Sequence, residues 1–310
     1  MAKVEVENLS VRYGRQIAVH DLSFAIPQGE VFGFIGPNGA GKTTTIKVLA
    51  TLLRPAAGVA RVDGLDVTKH PRDVRRRIGY MPDFFGVYGD LTVNEYLHFF
   101  AAAYRLDGAR RAAVVRDVLA LTDLTSKADA QVDALSRGMK QRLSLSRALL
   151  HDPDVLLLDE PASGLDPRAR IEVREVLKEL TRMGKTILVS SHILHELAQI
   201  CTRIGIIEAG RLVAEGALED IYRELGLKRI VHVQITNLSD DLVARAGALE
   251  GVASLDRQLD RLSFRIHQEK LAVEDLLDAL RGLGARVYMF QPEVMDMETV
   301  FMKLTEGKAT

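Results

Sequence analysis

Val31-Phe32-Gly33-Phe34-Ile35-Gly36-Pro37-Asn38-Gly39-Ala40-Gly41-Lys42-Thr43-Thr44, VFGFIGPNGAGKTT, is the stretch on which the fold turns. A short apolar run ends in a glycine-rich turn of the form G-x-x-x-x-G-K-[ST], and a helix is expected from about Thr43 to Leu53. The glycines let backbone N–H groups turn toward phosphate oxygens, and the helix start adds the positive end of its dipole. Lys42 is placed to reach the β- and γ-phosphates of a nucleotide, and Thr43 to offer its hydroxyl to Mg²⁺. Gly36, Pro37, Asn38, Gly39, Ala40, Gly41, Lys42, Thr43 and Thr44 therefore form the candidate ATP-binding loop. A strand before and a helix after set this motif apart from an ordinary glycine turn.

A phosphate loop of this kind requires an acidic strand end beside it, and Asp154-Val155-Leu156-Leu157-Leu158-Asp159-Glu160-Pro161 supplies one. The wholly apolar run suits a strand buried on both faces of a parallel sheet. Asp159 then stands at the sheet edge, where it can hold Mg²⁺, and Glu160 one step further can polarise water for attack on the γ-phosphate. An apolar run ending in Asp-Glu is weak by itself; paired with the phosphate loop it becomes specific.

Outward from these two motifs, strand-like segments cover Lys3 to Val11, Ile17 to Ile26, Gly58 to Val62, Arg77 to Met81, Thr186 to Ser190, Ile204 to Ile207 and Arg211 to Ala214. From Val93 to about His151 the pattern is helical. Asp166 as N-cap, Pro167 at the first position and Gly184 at the close frame a helix carrying Val173, Val176, Leu177 and Leu180 on one stripe. Ile193 to Cys201 reads as another helix, with Cys201 on its apolar face as a core residue. Strands alternating with helices argue a parallel α/β sheet, here with an antiparallel element and a helical insert over about 84–151. The first domain is expected over 1–222 and a linker over 223–229. A small α+β unit over 230–310 then follows the order strand-helix-strand-strand-helix-strand of a ferredoxin-like fold.

Composition sets outer limits. The chain has 310 residues, 47% hydrophobic and 27% charged, in the range of ordinary globular proteins. A net charge of −1 gives no reason to expect a nucleic-acid partner. No apolar run approaches the length of a membrane span, and MAKVEVENLS lacks a basic region followed by an apolar core. The single cysteine, Cys201, excludes an internal disulfide and fits a reducing compartment, so a cytoplasmic location is expected.

Between the two motifs lies Leu135-Ser136-Arg137-Gly138-Met139-Lys140-Gln141-Arg142-Leu143. Here the chain resembles the ATP-binding cassette family of transporter ATPases, whose signature reads L-S-G-G-Q ahead of a helix. Leu135, Ser136 and Gly138 match; Arg137 and Met139 depart from it. Read from the residues alone, Ser136 is an N-cap that aims N–H groups and dipole at an anion, or the cap of an ordinary helix. The resemblance covers most of 1–222 and implies a P-loop ATPase fold that binds ATP and Mg²⁺. It also implies an adenine-stacking role for Tyr13, a γ-phosphate contact for His192, and a partner-facing loop from Ala162 to Asp166. The plain alternative for Tyr13 is a hairpin-edge residue, and for His192 a structural one.

In this family each active site forms between two domains, each lending its signature to the other's nucleotide. One phosphate loop and one signature per chain imply a head-to-tail dimer, with a second copy or a paralogue. Transport would need a separate multi-span permease at the cytoplasmic face of the membrane. Its docking groove falls near Phe84 to Phe100, with Phe84, Phe85, Val87, Tyr88, Tyr96, Phe99 and Phe100, residues that could also be the insert's own core. The ending Met297-Glu298-Thr299-Val300-Phe301-Met302-Lys303-Leu304-Thr305 is similar to that of ABC-2 type exporter ATPases, with Met297 in place of a leucine. Asp83 stands where the family carries a glutamine that touches the metal or the attacking water. An aspartate there keeps an oxygen for a hard cation and adds negative charge; as a plain alternative it caps the turn at Phe84-Phe85-Gly86. A ribosome-acting protein with two cassettes, or a chromosome-maintenance ATPase with a long coiled-coil insertion, fits poorly. This chain has one cassette and no space for such an insertion between Lys42 and Asp159.

Overall fold

Two adjoining strands with alternating burial open the chain, β1 (Ala2–Tyr13) and β2 (Gln16–Pro27), paired antiparallel around a turn at Gly14. The computed structural model describes residues 2–84, 86, 88–191, 199–225, 228–268, 270–293 and 297–304. β3 (Val31–Ile35) is buried along its whole length and feeds α1 (Lys42–Leu49) through the glycine-rich loop. β4 (Ala57–Val62) and β5 (Leu65–Asp66) complete a four-stranded antiparallel sheet of order β2-β1-β4-β5. The short α2 (Pro71–Arg77) then leads into β6 (Ile78–Met81).

The helical insert follows as α3 (Val93–Ala103), α4 (Gly108–Leu121) and α5 (Arg137–Leu149). Thr92 starts α3 with a reciprocal cap: its hydroxyl accepts from the Glu95 amide, and the Glu95 carboxylate accepts from the Thr92 amide. β7 (Val155–Asp159), α6 (Pro167–Arg182), β8 (Thr186–Ser191), β9 (Arg203–Glu208) and β10 (Arg211–Ala217) build the central sheet. Its order is β10-β9-β3-β8-β7-β6, and the five strands from β9 to β6 run parallel to one another. Burial on both faces explains why β3, β7 and β8 are continuous apolar runs rather than alternating ones. The helix expected over Ile193 to Cys201 lies mostly outside the described residues.

The chain divides into two compact units, 2–216 together with Leu304, and Ala217–Lys303. The second begins with α7 (Leu218–Glu224), so the stretch expected as a linker over 223–229 is shorter in the structure. α7 runs into it and β11 (Arg229–Ile235) starts before it ends. The reason is that Leu218 and Ile221 are both buried, an apolar pair three residues apart on a helix too short to show periodicity. α8 (Asp240–Gly247), β12 (Val252–Gln258), β13 (Arg261–Ile266), α9 (Val273–Gly282), β14 (Val287–Pro292) and α10 (Met297–Leu304) follow. The sheet order β12-β13-β11-β14, antiparallel throughout, is the ferredoxin-like arrangement. Leu242, Ala246, Leu276 and Leu280 from α8 and α9 cover Val231, Val233, Leu262 and Phe264 on one sheet face.

Candidate active site

Because β3, β8 and β7 are adjacent and parallel, their carboxyl ends share one edge of the central sheet, the usual place for a ligand in such a sheet. The phosphate loop leaves β3 at that edge. Gly41 is left-handed (φ +108), and a Cβ there would stand 2.8 Å from the Ala18 carbonyl oxygen, so only glycine lets the loop lie against β2. A Cβ at Gly36 would collide with the Ile207 carbonyl of β9. The loop is thus clamped between the hairpin and the sheet, with Asn38 and Gly39 exposed at its tip.

Lys42, 5% exposed, donates to the carbonyl oxygens of Gly36 at 2.6 Å and Pro37 at 3.2 Å, and lies 3.5 Å from a Glu160 carboxylate oxygen. Burial lowers its affinity for a proton, and Glu160, Asp159 and Asp83 oppose that shift with their negative charge. Asp159, at the end of β7, is 1% exposed. Its Oδ1 accepts from Thr43 Oγ1 at 3.1 Å and from Ser190 Oγ at 2.7 Å, while its buried Oδ2 has no hydrogen-bond partner. Burial raises the Asp159 pKa, the two hydroxyl bonds lower it, and the charges of Asp83 and Glu160 raise it further. Glu160 stands in the left-handed region (φ +51), unusual for a side chain of its size, with its amide bonded to Ser190 Oγ at 3.0 Å.

Ser190 joins the acids at this edge, a residue no sequence motif singles out. Its hydroxyl donates to the Asp159 carboxylate and accepts from the Glu160 backbone amide, and it is register partner to Asp159 across the β7–β8 ladder. The available signal was that pairing: two buried strands ending at the same edge place their last polar residues side by side.

The remaining expected residues fall into separate places. Ser136 caps α5 by accepting from the Met139 amide at 3.3 Å, and Asp166 caps α6 by accepting from the Ala169 amide at 3.0 Å. Ser136, Gly138 and Asp166 line a polar depression of about 300 Å³ between the starts of these two helices, together with Arg142 and Glu172. A Cβ on Gly138 would meet that of Ala169 at 2.7 Å, so this glycine lets α5 and α6 approach. Tyr13 is half exposed at the end of β1, in the hairpin that abuts Gly41. Asp83 is exposed just beyond β6. His192 lies outside the described residues, as do Phe85 and Val87. In the aromatic cluster, Tyr96 is fully buried, whereas Phe84, Tyr88 and Phe99 are exposed. Phe100 lies between Tyr96 and Phe99, tilted against the first ring and edge-on to the second, with the Arg147 guanidinium 5.2 Å from its ring centre.

Residues 19–163 match the ABC transporter family model. The Nod factor export ATP-binding protein I of Burkholderia orbicola (strain AU 1054) is 45% identical over 308 residues, 98% of this chain and 97% of that protein. The chain belongs to the ABC transporter family. Another relative, the Nod factor export ATP-binding protein I of Cupriavidus metallidurans, is 37% identical over 98% of this chain and 97% of its own length. A solved ATP-binding subunit of an ABC transporter superposes with a TM-score of 0.66 at 35% identity, covering 72% of this chain and 93% of that one. This ABC transporter subunit is accordingly an ATP-binding protein and an ATPase, the motor component of a transport complex. No helix among the described residues is long and apolar enough to cross a membrane.

Proposed function

We propose that the chain powers an exporter as a head-to-tail dimer around two ATP molecules, docked on the cytoplasmic side of a separate multi-span permease. The observation that carries this reading is the division of the site. Lys42, Thr43, Asp159 and Glu160 meet at one sheet edge, while Ser136, Gly138 and Asp166 line a different depression. Two half-sites on one chain call for a second subunit to complete each. Export is supported by the relatives that match almost end to end, which bear the name of an export ATPase. The exposed rings of Phe84, Tyr88 and Phe99 offer an apolar, partly solvent-facing surface to a permease segment.

In this reading Lys42 exchanges its bonds to the Gly36 and Pro37 carbonyls for phosphate oxygens, and the loop amides cradle the phosphates. Tyr13 stacks on the adenine ring. Glu160 orients and polarises the attacking water, with His192 at the γ-phosphate. The donor set fits Mg²⁺: the unpartnered, buried Asp159 Oδ2 and the Thr43 hydroxyl are hard oxygen donors at one point, and Asp83 adds a carboxylate nearby. When bound, the ion would neutralise phosphate charge as the terminal bond breaks.

Glu160→Gln tests the core of the proposal. ATP hydrolysis is expected to fall by about 10²-fold or more, the scale of a lost general base. Light scattering with ATP and Mg²⁺ should then give the mass of two chains, while the wild type returns to one as ATP is consumed. Normal hydrolysis would remove Glu160 from the role, and a one-chain mass throughout would remove the dimer.

A further inference from the structure

We propose that Arg137 is a positioning residue for ATP hydrolysis, tying the start of α5 to the turn after Glu160 within the same chain. The proposal rests on the reading of Glu160 as the group that prepares water. Arg137 occupies the first position of α5, directly after the capping Ser136. Its Nη2 donates a hydrogen bond to the Ser163 carbonyl oxygen at 3.2 Å. The guanidinium also lies over Gly164, where any Cβ would collide with it. Gly164 is itself left-handed (φ +66), so turn and guanidinium fit together only with glycine at that point.

From Arg137 a chain of hydrogen bonds reaches Glu160. The Ser163 amide donates to the Glu160 carbonyl oxygen at 3.1 Å, and the Glu160 amide donates to Ser190 Oγ at 3.0 Å. Both peptide units around Glu160 are thereby held while its backbone stays at φ +51, a conformation that persists only where the surroundings impose it. The far end of the turn has its own anchors: Arg170 donates to the Leu165 carbonyl oxygen at 2.8 Å, and Asp166 caps α6. Arg137 braces the middle. Without it the ends stay tied and the fold stands, but the direction of the Glu160 carboxylate loosens, and rates of reaction depend steeply on such placement. Glycine, which the signature L-S-G-G-Q carries at this position, has no side chain to make the brace.

The test uses the full chain and four variants, Arg137→Ala, Arg137→Gly, Arg137→Lys and Glu160→Gln. Steady-state ATP hydrolysis is combined with amide hydrogen exchange on the 161–166 peptide. Arg137→Ala and Arg137→Gly are expected to lower kcat roughly tenfold, a fraction of the loss that about 1 Å of misplacement causes. KM for ATP should stay within about twofold, as for an interaction felt only in the transition state. Exchange at the Ser163 and Leu165 amides should speed up in both. Lysine can donate to the carbonyl but cannot lie flat on Gly164, so Arg137→Lys should recover part of kcat and slow the exchange again. A rise in KM with kcat retained would make Arg137 a nucleotide-binding residue and overturn the proposal. Unchanged kcat in Arg137→Ala overturns it too, whether or not exchange changes, provided Glu160→Gln is inactive. An active Glu160→Gln overturns the reading of Glu160 and this proposal with it.

Discussion

Asp159 carries a conflict that the rest of the site must resolve. It is buried with one oxygen committed to two hydroxyls and the other unpartnered, and two further carboxylates stand close by. Such a group costs folding free energy while it is ionised. The sign follows from linkage: its folded pKa is raised, so the native state holds that proton more tightly than the unfolded chain does. The penalty is absent well below the ordinary carboxylate range, grows as pH rises from that range through the raised pKa, and is full above it. Asp159→Asn keeps an acceptor for Thr43 and Ser190 and removes the charge. Without nucleotide or metal it should unfold a few degrees higher than wild type at pH 7, the response to roughly 1 kcal/mol in a domain of this size. The two should converge toward acid pH. Adding Mg²⁺ should raise the midpoint of the wild type, less so for Asp83→Ala, and leave Asp159→Asn unmoved. Equal Mg²⁺ responses in all three would take Asp159 and Asp83 out of the metal site.

At the level of elements, the contact between α5 and α6 is set by one missing methyl group. Gly138→Ala would put two Cβ atoms 2.7 Å apart, and Ala169 is part of a helix that cannot easily yield. The intrinsic helix preference for alanine favours the change by up to about 1 kcal/mol. Overpacking opposes it by about 1–3 kcal/mol and should prevail. Denaturant unfolding of Gly138→Ala, Ala169→Gly and the double variant closes a cycle. The double variant should recover most of the loss, and strict additivity would mean that these helices do not meet at this point.

The elements themselves were legible where burial is uniform. β3, β7 and β8 announce themselves as apolar runs, and the caps at Ser136 and Asp166 mark the starts of α5 and α6. α2 was hidden because Pro71–Arg77 is nearly all charged with only Val74 buried, leaving no periodicity. β12 belongs to the strand-helix-strand-strand-helix-strand order, but its residues were not placed for a related reason: none of them is fully buried, so no side of it reads as a core face. Of the site, the loop and the two acids could be read directly, since their chemistry is local in sequence. Ser190 and Arg137 bond to neighbours 30 and 26 residues away, and only the fold brings them into contact.

Among the described residues, two large hydrophobic cores share no residue. One joins Val4 through Ile207, the other Val231 through Ala285. Separate cores of this kind unfold as separate cooperative bodies unless their interface is large. Calorimetry of the nucleotide-free chain should therefore resolve two transitions. A non-hydrolysed ATP analogue with Mg²⁺ at a hundred times its Kd should raise only the transition of the ATP-binding unit, by about 2.7 kcal/mol of added stability. A single transition that moves as one body would show that the units stand or fall together.

α5 has a guanidinium at either end: Arg137 on the Ser163 carbonyl, Arg147 over the ring of Phe100. Its thirteen residues span about 20 Å, a length over which a helix behaves as a stiff rod. Mechanically it is a strut with two handles, one on the half-buried ring of Phe100 and one on the bend beside Glu160. A load applied at that ring has little opportunity to be absorbed by bending and is delivered to the other handle as displacement.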